Sequence, residues 1–98
     1  MIKKTKIRGS KMISVTFATF EHSEANELSL VGEFNDWSPE THPMRRRKDG
    51  AWAATVRLQK GSEHQYRFLV DGADWASDPE ADELVENPYG GKNSVVSV

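Results

Sequence analysis

A chain of 98 residues has room for one domain and one modest core, so its margin of stability is thin. The absence of cysteine excludes a disulfide framework and a thiolate metal site, and a formal charge of -2 argues against a dedicated phosphate binder. That charge is unevenly spread. Lys3, Lys4, Lys6, Arg8 and Lys11 stand near the start with no acid among them, whereas Asp71, Asp74, Asp78, Glu80, Asp82, Glu83 and Glu86 form an acidic run without a base. Such runs read as solvated segments, and residues 1–10 as a flexible basic tail ahead of a folded domain at 11–98.

The basic start is not expected to be a signal peptide. Met12 to Phe20 is broken by Ser14, Thr16 and Thr19, and no small-residue cleavage site follows. No stretch approaches transmembrane length, so the chain is expected to be soluble and cytoplasmic, without a membrane partner.

In chain order, the dominant period is two. Ile13, Val15 and Phe17 alternate with Met12, Ser14 and Thr16, as a half-buried strand requires. Leu28, Leu30 and Phe34 share a face across Gly32. Asp49-Gly50 separates Met44–Lys48 from Ala51–Leu58 and predicts a hairpin with a primed turn. Trp52, Ala54, Val56 and Leu58 then face away from Thr55, Arg57 and Gln59. Tyr66, Phe68 and Val70 repeat the pattern, which turns Arg67 to the opposite face. A short helix could lie between Pro79 and Glu86, and Ser94–Val98 makes a β-branched final strand. The pattern predicts an all-β fold, an antiparallel immunoglobulin-like sandwich.

The informative residues are those the strands do not explain. Trp52 belongs to an alternating face and is expected in the core. Trp37 lies in NDWSPETHP and Trp75 in DGADWASDP, both loop-like stretches. Each loop tryptophan has two readings: a plug over an open end of the sandwich, or a platform for a ligand. Arg67 leaves its strand toward the turn that carries Trp75, so a cation and an aromatic face are expected together. Asn93 follows Gly90 and Gly91, which permit close approach of a ligand. A pyranose has one face of C–H bonds, which suits an indole ring, and a rim of hydroxyls, which suits Arg67 and Asn93. Neither residue can do nucleophilic or acid–base work at neutral pH.

The set VGEFNDWSP, DGAWAATVRL, HQYRFLVDGADW and NSVVSV resembles the family 48 carbohydrate-binding modules. These include the glycogen-binding domain of AMP-activated kinase β subunits and the early-set domains at the start of isoamylases and glycogen branching enzymes. The resemblance spans roughly Ser14 to Val98. It implies an α-glucan stacked on Trp37 and Trp75, hydroxyl contacts from Arg67 and Asn93, and Tyr89 where the kinase-type modules insert a leucine. Two departures stand out: one extra residue in DGADW before Trp75, and Gly91 where the last loop of the family has a threonine.

The function expected on this basis is non-catalytic binding of an α-1,4-linked glucan such as glycogen or starch, with no cofactor. A glucan-metabolising enzyme acting in trans is a possible partner. The alternative is an early-set domain that docks on a partner protein without binding sugar. Catalysis is disfavoured because a family 13 barrel needs about 250 residues and no pair of carboxylates is set across a site. Metal binding is disfavoured because Asp78, Glu80 and Asp82 lack the glycine of a calcium loop, and His22, His42 and His64 lack ligand spacing. Nucleic acid is disfavoured because Arg45–Lys48 must project from both faces of a strand.

Overall fold

The computed structural model describes residues 1–98, which form β-strands and one 3-10 turn, Glu33–Asn35, with no α-helix. The strands are β1 Ile2–Lys6, β2 Met12–Thr19, β3 Leu28–Gly32, β4 Arg45–Arg46, β5 Trp52–Gln59, β6 Glu63–Val70, β7 Asp74–Ala76, β8 Glu83–Glu86 and β9 Lys92–Ser97. One sheet runs β1-β2-β5-β4, and the other β3-β6-β9-β8 with β7 also paired to β6. Every pairing is antiparallel. The two sheets close into the immunoglobulin-like sandwich that the period of two predicts.

Alternation decides which side of each strand is buried. Val15 pairs with Val56 and Ile13 with Leu58 across β2 and β5, while Leu30 pairs with Phe68 across β3 and β6. All six belong to one apolar core together with Phe17, Leu28, Trp52, Tyr66 and Val96. Its centre is aromatic. Phe17 meets Tyr66 edge-on with ring centroids 4.8 Å apart, and Tyr66 meets Phe68 at 6.1 Å. Such edge-to-face pairs add about 0.5–1.5 kcal/mol beyond the area they bury. Trp52 lies in this core as its alternation demands; its indole N–H donates to the His22 carbonyl, and Arg46 covers its outer ring face at 4.4 Å.

Four local expectations need correction. Residues 1–10 are not a free tail, because Ile2–Lys6 pairs with β2 in the register Ile2↔Phe17 to Lys6↔Ile13. The pairing is possible because Ile2 packs against the core. Nor is the whole acidic run solvated. Asp78 is fully buried, accepting from the Tyr66 hydroxyl at 2.7 Å and, through its other oxygen, from the Glu80 backbone N–H. Burial, followed by this carboxylate neighbour, pushes the Tyr66 phenol far above its ordinary value, so it stays a donor. Glu83–Glu86 is a strand rather than part of a helix, since β9 offers it a partner edge. The β4–β5 turn also differs. Only Gly50 has positive φ there, and Arg47 pairs with Ala51, which makes a three-residue bulged loop instead of a primed two-residue turn.

The two charged runs meet where Lys4 donates to Asp82 at 2.9 Å. Partial desolvation raises the Asp82 carboxyl, but hydrogen bonds from Lys4 and from the Ser97 N–H outweigh it and hold the group below its ordinary 3.8. A carboxyl depressed by folding contributes stability that is complete above the unfolded value and disappears as pH falls through the folded one. Lys4→Gln is therefore expected to flatten the decline of stability below about pH 3.8, as read by denaturant titrations across that range. Parallel pH curves for wild type and variant would mean that the pair contributes nothing.

Candidate functional site

The outer face of the β3-β6-β9-β8 sheet carries the residues that the strands leave unexplained. β6 turns Tyr66 and Phe68 inward and Arg67 outward, opposite Val31 of β3. Trp75 stands across from Leu69 on the short strand β7, and Asn93 across from Val85 on β9. Val31, Leu69 and Val95, on this same outer face, are all buried, so the face is covered by its own loops rather than laid open.

Trp37 reaches the face from the β3–β4 connection, whose sequence GEFNDW is a set of steric requirements. A Cβ on Gly32 would lie 2.7 Å from both the Gln65 carbonyl oxygen and the Tyr66 Cβ, so glycine is needed for close approach. Phe34 packs its ring 5.8 Å from Phe17 and thereby anchors the loop to the core. Asn35 accepts from the Gly32 N–H and donates to the Leu30 carbonyl, closing the turn on itself. Asp36 and Trp37 then both adopt left-handed backbone, φ 56° and 57°, and the Trp37 N–H returns to the Gly32 carbonyl at 2.8 Å. Two successive non-glycine residues there cost on the order of 1–3 kcal/mol each, and such strain gathers at functional sites. Gly32→Ala is expected to destabilise the protein by about 1–3 kcal/mol through overpacking. A melt equal to wild type would show that the loop can move aside freely.

The third wall is the β8–β9 hairpin. Its tip is closed by bonds from the Asn87 N–H to the Gly91 carbonyl and from the Gly90 N–H to the Asn87 carbonyl. Tyr89 projects from it almost wholly exposed, at 96 %. Gly91 packs over Arg67: a Cβ there would come within 3.0 Å of Nη2. The missing side chain at Gly91 thus makes room for the guanidinium.

Together these elements enclose an open groove of about 500 Å³ lined by Trp37, Arg67, Trp75, Asn87, Pro88, Tyr89 and Asn93. All five residues expected from the sequence meet there. Trp37 and Trp75 remain 38 % and 48 % exposed, so each presents surface to the groove. Arg67 has no carboxylate partner, and its buried Nε lacks any acceptor. Asn93 is more enclosed than its loop-edge position implied: it lies within β9 and is held on both sides by Asn87 and Gln65. Sequence reasoning missed Asn87, Pro88 and Gln65. The NPYGG run marks Asn87 as a turn residue, but only the fold shows which side chain it meets.

The arrangement supplies aromatic faces, one cation with free donors and one side-chain amide. No carboxylate lines it, and no residue of the groove can act as an acid–base pair. That is chemistry for holding a polyhydroxylated ring.

Comparison with known proteins agrees. The profile of carbohydrate-binding module 48, the isoamylase N-terminal domain, matches residues 6–90. A 1,4-alpha-glucan branching enzyme of Xanthomonas campestris is 31 % identical over 65 residues, 65 % of this chain and 9 % of its own. The pig 5'-AMP-activated protein kinase subunit beta-1 is 39 % identical over 72 residues, 74 % of this chain and 54 % of its own. A branching enzyme of Deinococcus radiodurans is 41 % identical over 49 residues, half of this chain and 7 % of its own. The chain thus spans a small fraction of the branching enzymes and about half of the kinase subunit. With a match over most of its length and the sandwich in place, the chain belongs to the carbohydrate-binding module 48 family.

Proposed function

We propose that this protein binds α-1,4-linked glucan without catalysing a reaction, stacking glucose rings on Trp37 and Trp75. Arg67 and Asn93 hydrogen-bond the hydroxyl rim, and Tyr89 packs against the chain from the hairpin tip. The observation that supports this best is the convergence of these five side chains, from strands β6, β7 and β9 and from two separate connections, on one groove. The names of the relatives point the same way, since the branching enzymes act on 1,4-alpha-glucan. A second role, docking beside a glucan-metabolising enzyme, draws on the matched enzymes being far longer than this chain.

Titrating tryptophan fluorescence with maltoheptaose tests the reading. The groove is open and the ligand flexible, so ordering costs offset much of the contact energy. Saturable binding is expected with Kd on the order of micromolar to millimolar, or roughly -8 to -4 kcal/mol. An unchanged spectrum at saturating sugar, with the protein folded, would overturn it. The same samples should release no reducing ends from glycogen above a buffer blank.

A further inference from the structure

A backbone N–H in the β8–β9 hairpin determines which way three side-chain amides point. The Tyr89 N–H can only donate, so the Asn87 atom facing it at 2.8 Å must be Oδ1. Asn87 therefore directs Nδ2 at Asn93, 3.0 Å away, and the atom it meets must accept, which makes it Asn93 Oδ1. Asn93 in turn directs Nδ2 at Gln65 Oε1, 2.9 Å away on β6. Were any one amide turned over, two donors or two acceptors would face each other in a half-buried site. After these bonds Asn93 retains one N–H and one acceptor position.

We infer that Asn87 is a positioning residue: by ordering Asn93 through this relay, it sets the sequence of donor and acceptor that the groove offers to a ligand's hydroxyls. The role rests on the glucan-binding reading above. A sugar's neighbouring hydroxyls are fixed on a rigid ring, so a donor and an acceptor presented in one order match one orientation of the chain. A freely rotating amide would match two orientations, each more weakly. Asn87 has a second effect through the same oxygen, because its bond to the Tyr89 N–H curls the tip that carries the exposed ring.

Asn87→Asp separates positioning from simple support. A carboxylate still accepts from the Tyr89 N–H, so the turn is preserved. The backbone bonds that close the tip do not involve the side chain. The second carboxylate oxygen would, however, face Asn93 Oδ1, and the Asn93 and Gln65 amides must both turn over. Asn87→Ser serves as an uncharged control. Its hydroxyl can cap the turn but does not span to Asn93, which leaves the relay unordered.

The experiment is maltoheptaose titration of wild type and both variants at low and high salt, with NMR of the side-chain amides in the free proteins. In wild type, the Asn87 and Asn93 amide protons should be protected and those of Gln65 should not; in Asn87→Asp, Asn93 should stay protected and Gln65 should become so. Affinity should fall roughly tenfold in Asn87→Asp and several-fold in Asn87→Ser, with melting temperatures close to wild type, as loss of one or two oriented hydrogen bonds requires. The loss should be the same at both salt concentrations, because the ligand is neutral. Wild-type affinity in both variants, or unaltered amide protection in Asn87→Asp, would overturn the relay while leaving the glucan reading intact. A loss in Asn87→Asp that high salt restores would assign the effect to the new charge and likewise overturn it. A wild-type protein that binds no glucan would remove the glucan reading, and this role for Asn87 with it.

Discussion

Trp37→Ala and Trp75→Ala are each expected to remove most α-glucan binding while leaving the sandwich folded. Each ring is roughly half exposed at the groove, so each holds apolar surface that a sugar face would cover. Truncating such a ring at a binding hot spot costs about 1–3 kcal/mol, enough to carry an already weak interaction out of range. Stability should change little, because neither side chain belongs to the buried core. Trp37 allows a sharper test. Its φ of 57° is costly for any side chain but glycine, so Trp37→Gly should abolish binding and stabilise the fold by about 1 kcal/mol. Arg67→Ala should weaken binding less than either tryptophan, because hydroxyl contacts exchange with water. Pull-down on insoluble starch, with thermal melts on the same variants, reads both quantities. Loop variants that melt far below wild type would make the tryptophans structural, and variants that still bind would place the sugar elsewhere.

The largest loss of stability is expected from Trp52→Ala, about 3–5 kcal/mol. Trp52 is 5 % exposed, and its removal opens a cavity in a core that closes the ends of β2 and β5. It also leaves the His22 carbonyl without its indole donor and Arg46 without the ring it covers. For a domain of this size, each kcal/mol corresponds to roughly 4–8 °C, so the midpoint should fall by tens of degrees. Glucan affinity, measured well below that midpoint, should stay near wild type because Trp52 does not line the groove. A stable Trp52→Ala variant would mean that the core had collapsed around the gap, and a folded variant without binding would show coupling between core and groove.

The contrast between Trp52 and the two groove tryptophans was legible in the sequence. A tryptophan at an alternating position has a buried partner set by the strand period, whereas one among turn residues has none. The outward direction of Arg67 followed from the same rule, applied to Tyr66 and Phe68 on either side of it. Errors fell where local pattern lacks information about partners. The first residues looked like a tail because three lysines in five positions are poor strand formers alone; β2 offers them an edge and Asp82 a counter-charge. Asp78 looked solvated because nothing nearby in sequence showed that the Tyr66 hydroxyl, twelve residues away, would reach it inside the sandwich.

By itself, then, the amino-acid sequence determined the strand period, the sandwich class, the identity of the core and the residue types of the groove. Each is a property of side chains taken a few positions at a time, and burial follows directly from alternation. Only the tertiary structure decided that two distant connections and strands β6, β7 and β9 come together around one groove. It alone fitted Gly91 to the Arg67 guanidinium and linked Asn93 to Asn87 and Gln65. Those relations are distances between segments remote in sequence. Their energies depend on contacts of a few ångströms that appear only once the sheets have paired and packed.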